Sequence, residues 1–406
     1  MLSKGVLVNI MMIRLVAVLA AATALEPIQR RTLLKGVPAA AAVATPALAA
    51  DNALQKTSCF EVIPDSSLAL KPKLTPLKPD KCIGGLKAAK ALYLGEHHNS
   101  LRDHLLQADI LRALRKAEPR RPMAVGLEAI QRRFQPVLDD YLGGKIDLTQ
   151  LEEQTEWRTR WTWPFANYVP VFEAARRNNF ELLALNADSE DLGVVEMSGL
   201  AGLPNATLAK YIPDRRVFAD FTNTTAFREY IAYVVAPSYR SHKEMGILRQ
   251  TISGQQLKED MPFKNFYSGR MLWDNSMANT GAAWTRKNPS GLLVSIVGAD
   301  HVKFGGGVPN RYAYAAGLDL DKVRTVILNP SAVDTAGPQL ETLRADAPVP
   351  LTLQIRFAAA AGDGGIPVIG GDAVVDVAAA ARVKQVRPGS RVLPFSDVLW
   401  LSAEDA

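Results

Sequence analysis

The stretch ALYLGEHHNSLRDHLLQADILRAL, residues 91–114, decides how the chain reads. A short apolar run, Ala91 to Leu94, leads into a glycine, a glutamate and two adjacent histidines. A helix start follows at once, Ser100-x-x-Asp103, an acidic variant of the capping box. Leu101, Leu105, Ala108 and Leu111 predict an apolar helix face that runs to a stop near Pro119. Strand, corner and helix make one βα unit, the piece from which parallel sheets are assembled.

Outward from there the rhythm repeats. MAVGL (Met123–Leu127) reads as a second strand, followed by Glu128 and the helical QRRFQPVLDDYLGG ending at Gly143-Gly144. ELLAL (Glu181–Leu185) precedes Asn186 and Asp188, GLLVSIV (Gly291–Val297) precedes Gly298, Asp300 and His301, and VRTVIL (Val323–Leu328) closes the set. The expected fold is α/β, a mostly parallel sheet flanked by helices. A helical insertion is expected at about 214–286, carrying Tyr230, Tyr267, Met271, Met277 and His242. Residues 51–87, with KPKLTPLKPDKC, read as a linker, 88–330 as the main domain, and 331–406 as a small β-rich C-terminal appendage.

Residues 1–50 read as an address. LVAVLAAATAL (15–25) is too short to span a bilayer, which takes about 20 residues. Arg30-Arg31 with Leu33-Leu34-Lys35, and the small-residue site Ala47-Leu48-Ala49, predict a twin-arginine presequence. Two successive apolar segments suit the chloroplast thylakoid lumen, with bacterial periplasm as the alternative. No stable transmembrane anchor is expected in the mature chain. The formal charge of +6 sits mostly in this leader, where five basic side chains face Glu26 alone, and no basic stripe interleaved with aromatics supports nucleic-acid binding. Cys59 and Cys82, the two cysteines, admit a disulfide in an exported protein but not a CxxC zinc site.

In an open parallel sheet, ligands bind outside the carboxyl ends of the strands. Three of the five histidines, His97, His98 and His301, lie at two such ends. Gly95-x-x-His98 and Gly298-x-x-His301 repeat one device, read as a strand, a glycine that lets the backbone turn tightly, and an imidazole three residues on. Of the adjacent pair, His98 completes the spacing and His97 is structural. His104 is expected to be a solvated or capping residue, and His242 a partly exposed one. Trp157, Trp161 and Trp163 read as a helical core patch rather than a ligand-stacking wall. Imidazoles with Glu96 and Glu128 suit a divalent metal, acid–base work near neutral pH, or a haem position.

LGEHHNSLRDHLLQADILRAL, VGLEAIQRRFQPVLDDYLGG, WDNSMA and GADHVKFGGGVPNR resemble the ChaN-like haem-binding family of the Tiki superfamily, which is related to erythromycin esterase-like and TraB-like proteins. The similarity runs from about Ala88 to Asn329. It implies haem or a related tetrapyrrole as ligand, held by His98, His301, Glu96 and Glu128, and in some members a homodimer with haem between protomers. The Tiki relatives imply another use of the same residues, hydrolysis with zinc, manganese or iron on His98, His301 and Glu128, and Glu96 or Glu128 as base. A non-catalytic lumenal scaffold is the third reading. The chain lacks the lipobox cysteine of bacterial haem-binding lipoproteins and adds the tail beyond Pro330.

Overall fold

The computed structural model describes residues 53–63, 73–222, 224, 227, 230–330, 354–357, 367–370 and 396–403; the presequence reading lies outside them. One eight-stranded sheet organises the fold. Its strands are β1 (Ser58–Ile63), β2 (Lys73–Leu77), β3 (Ala91–Glu96), β4 (Met123–Gln131), β5 (Glu181–Asn186), β6 (Leu292–Gly298), β7 (Val323–Leu328) and β10 (Val398–Leu401), in the order β2-β1-β10-β7-β3-β6-β4-β5. From β10 to β5 every pairing is parallel, and β1 and β2 extend the edge in antiparallel fashion. A separate antiparallel pair joins β8 (Gln354–Phe357) and β9 (Pro367–Gly370).

The α/β architecture is the one the sequence predicts, and the corrections fall on boundaries and ends. The presumed linker 51–87 supplies β1, β2 and a helix α1 (Pro79–Leu86), with Cys59 of β1 and Cys82 of α1 joined as a disulfide. The C-terminal region adds β8 and β9 as expected of an appendage, but it also threads β10 into the main sheet between β1 and β7. β4 runs to Gln131, four residues beyond the predicted end, with a register break between Leu127 and Gln131. The following helix α3 begins only at Gln135 (Gln135–Leu142).

Alternation along the strands sorts residues to two faces, both covered by helices. Leu92, Leu94, Val125, Leu127, Val294 and Ile296 pack on one side with α2 (Leu101–Ala117) and α4 (Phe165–Arg177). Ala91, Tyr93, Ala124, Leu293 and Val297 pack on the other with α6 (Phe263–Lys287) and α7 (Val308–Ala316), the insertion side, which also carries α5 (Ser189–Ser198).

Ser100 caps α2 by accepting the Asp103 backbone N–H. The buried face of α2 keeps Ala108 and Leu111 of the predicted one but not its first turn. Leu101 and Leu105 are 46% and 40% exposed, while Asp103, His104 and Gln107 are buried beside Leu106, Ile110 and Leu114. Polar residues occupy the inward face of the first turns because a buried carboxylate waits there, and apolar periodicity cannot register them.

Candidate functional site

Strand register sets the site. Glu96 pairs with Gly298 across β3 and β6, and Leu127 with Ile296 across β4 and β6, so the ends carrying Glu96, Gly298 and Glu128 lie side by side. Glu96 shares the parity of Leu92 and Leu94 and faces α2 and α4; Glu128 shares that of Ala124 and faces α6.

On the first face, Glu96 is almost wholly buried and fully bonded. Its Oε1 accepts from the Tyr168 hydroxyl at 2.6 Å and meets His98 Nδ1 at 2.9 Å; its Oε2 accepts from Gln107 Nε2 at 2.8 Å and lies 3.3 Å from His104 Nε2. Burial works against its ionisation, but the charge and hydrogen bond of His104, with those of His98, hold its carboxyl well below the usual range. His104 is correspondingly raised, the pull of Glu96 overcoming burial. This corrects the expectation of a solvated His104: the ring is buried, its Nδ1 bonds the Ser100 carbonyl at 2.6 Å, and its centroid stands 3.9 Å from that of Tyr168.

The His98 side chain is 22% exposed, against 4% for His301 and 29% for His97. Trp161 stands edge-on to it at 4.9 Å and Trp163 stacks at 6.0 Å, centroid to centroid. Of the three tryptophans, Trp157 and Trp161 are core as expected and Trp163 packs partly buried against that core, while Trp161 and Trp163 also meet the His98 ring. His97 turns away, its backbone N–H and ring Nδ1 both held by Asp103 Oδ2, at 2.8 and 2.9 Å.

On the second face, Glu128 Oε2 accepts the Gly298 N–H at 2.6 Å and Oε1 meets His301 Nε2 at 3.1 Å. His301 Nδ1 in turn meets Asp274 Oδ1 at 2.5 Å. Burial would raise the Glu128 carboxyl, but the charges of His301 and His98 and the Gly298 N–H lower it to about 2. Burial and Arg270 disfavour the His301 cation, yet Glu128 and Asp274 raise its pKa on balance. Arg270 Nε lies 3.7 Å from Asp274 Oδ1 and donates to the Tyr230 hydroxyl at 2.7 Å.

The two faces meet at Gly298. A Cβ there would lie 2.7 Å from His98 Nε2 and 3.5 Å from Glu128 Oε2, so the second motif's glycine is the floor under the first motif's histidine. Gly95 likewise abuts Ile327 and the Ala299 backbone. Neither glycine has a positive φ, which corrects the tight-turn reading: both serve close approach.

The other strand-end groups stand apart. Asp188 pairs with Arg133 at 3.1 Å and Asp300 with Lys303 at 2.8 Å, while half-buried His242 bonds the Ser238 carbonyl. The sequence reading missed Asp274, Tyr168, Gln107 and Arg270. Asp274 had a visible signal, an acidic residue inside the quoted WDNSMA; Tyr168 had none. Among the described residues no group of three or more His, Cys, Asp or Glu side chains is placed to hold a metal ion. Nor is any described helix long and apolar enough to cross a membrane.

The chain is thus an α/β protein with paired imidazole–carboxylate units at its strand ends. The family follows from comparison: residues 82–312 match the model of the haem-binding uptake proteins of the Tiki superfamily, ChaN, and the chain belongs to that family. Similar solved structures include one of cofacial haem binding to ChaN of Campylobacter jejuni, with 14% identity, 85% of this chain and 97% of that one covered, and a TM-score of 0.49. An erythromycin esterase EreC mutant in its open conformation gives 14%, 66%, 76% and 0.35 for the same measures. The type III effector HopBA1 gives 10%, 61%, 81% and 0.32. No curated protein matches the chain.

Proposed function

We propose that the chain binds haem or a related iron tetrapyrrole at the corner after β3, with His98 as the iron ligand. One observation carries the reading: His98 is partly exposed beside two indoles and held by Glu96 through Nδ1, while Nε2, the nitrogen left for iron, lies over Gly298, where the missing side chain leaves the space beside it. That donor set fits an axial position, which takes one imidazole. Trp163, partly buried and stacked on His98, offers the macrocycle an apolar surface. Family membership supports the same ligand. Bound haem would supply an iron centre for ligand or electron exchange, while the protein contributes a ring whose orientation and donor strength Glu96 sets. Attachment is non-covalent, since the chain has no CxxCH.

A second reading, acid–base hydrolysis, rests on the chain Asp274–His301–Glu128, in which a carboxylate orients an imidazole that faces another carboxylate. Of the metal set expected from sequence, only His301 and Glu128 are in contact. The Cys59–Cys82 disulfide supports export to an oxidising compartment.

Haemin titration of residues 51–406, followed by absorption, tests the first reading. A saturable Soret shift is expected, weakened at least about tenfold in His98→Ala, a loss of about 1.4 kcal/mol. No shift with a folded protein overturns it.

A further inference from the structure

Tyr267, Arg270, Met271 and Asp274 recur at helical spacing on α6 and share one face, toward which Arg311 of α7 reaches. Arg311 is 2% exposed, and the rings of Phe218, Phe221 and Phe227 stand 5.5, 4.4 and 5.8 Å from its guanidinium carbon. Its Nη2 donates to the Met271 sulfur at 3.2 Å, a weak acceptor. Its Nε and Nη1 are enclosed and meet no protein acceptor. The Tyr267 hydroxyl and the Asp274 Oδ2 are enclosed and unpartnered as well. Met271 follows Tyr267 by four residues and precedes Asp274 by three, about one turn from each, and the Arg311 charge acts on both groups.

A buried polar group left unmatched costs about 1–3 kcal/mol, and here donors and an ionised acceptor are left over on one helix face. Their complement is a molecule that accepts from the guanidinium and donates to the carboxylate, which is the chemistry of water.

We infer that an enclosed water joins Arg311 and Tyr267 to Asp274 Oδ2, and that Arg311 is thereby a positioning residue for His301. Asp274 grips His301 Nδ1 through Oδ1 alone. Arg270 also meets Oδ1, at 3.7 Å, and Tyr230 hydrogen-bonds the carboxyl; the water pins Oδ2 and fixes the plane in which the imidazole is held. The link concerns the protein alone and stands whichever molecule the crevice binds.

Crystal structures of the full chain and of its Tyr267→Phe and Arg311→Met variants test this, together with the downfield proton resonance of His301 Nδ1–H. A solvent peak within hydrogen-bonding distance of both Arg311 and Asp274 Oδ2 is expected, weakened in Tyr267→Phe, which removes only a hydroxyl. The His301 resonance should shift or broaden in Arg311→Met while His98 signals stay in place. Arg311 bonded directly to Asp274 overturns the inference, as does a peak that a bromide soak fills with bromide, marking an anion. So does an unchanged His301 resonance in a folded Arg311→Met protein. Should that variant not fold, unchanged water and resonance in Tyr267→Phe are the overturning result.

Discussion

His98 and His301 follow the same Gly-x-x-His spacing, and each has its Nδ1 held by a carboxylate, yet the first side chain is 22% exposed and the second 4%. The difference comes from the helices. On the first face α2 and α4 spend their polar residues on Glu96, so the carboxylate is buried and the ring is left at the surface. On the second face α6 brings Asp274 to the ring itself and closes over it. Equal spacing specifies a corner at a strand end; what packs on that corner decides whether the imidazole is presented or sealed.

If the second corner is a sealed charge cluster, Asp274→Ala should be the most damaging change. It strips a fully buried partner from His301 and Arg270, and breaking a buried pair costs about 3–5 kcal/mol. Denaturant unfolding measures it, and a loss under about 1 kcal/mol would mean the cluster is not sealed.

The next effect is expected in acid. Glu128 lies at about 2 folded, against 4.5 as an ordinary carboxyl. Because the folded value is depressed, its contribution is complete above about 4.5 and is lost as the pH falls through about 2. Thermal melts across that range should fall more steeply for the parent than for Glu128→Gln; parallel curves would contradict the assignment.

The shared floor offers a test of both corners at once. In Gly298→Ala the new methyl meets the His98 ring, and overpacking of this kind costs about 1–3 kcal/mol. His98 should be displaced and haemin binding weakened, and a variant that binds haemin as the parent does would separate the two corners. His98→Ala should disturb stability least, by about 1 kcal/mol or less, since Glu96 keeps Tyr168, Gln107 and His104. A larger loss on calorimetry would show that the exposed corner is a structural element after all.

Strand cores were legible because β-branched and aliphatic runs of four to seven residues between turn signals have few other readings, and VRTVIL ends where predicted. Spacing separated His98 from His97, and the two rings do have different partners, Glu96 for His98 and Asp103 for His97. His104 was not legible, because periodicity assumes that buried means apolar, and this helix buries a histidine and a glutamine against Glu96. Glu128 was found, but its place within β4 was not, since AIQ carries no strand signature of its own. β1 and β10 were missed for a different reason: they pair with each other across more than three hundred residues, and nothing local announces it.

That last pairing governs the order of assembly. Among the described residues, β1 and β2 reach the rest of the sheet only through β10. During synthesis the ribosome must therefore pass Leu401 before residues 58–77 can pair into the main sheet, although the Cys59–Cys82 disulfide and the packing of α1 can hold β1 nearby earlier. The body of the sheet is available earlier and the edge is sewn on last. A stop codon shortly before Val398 would cost the fold three strands rather than one.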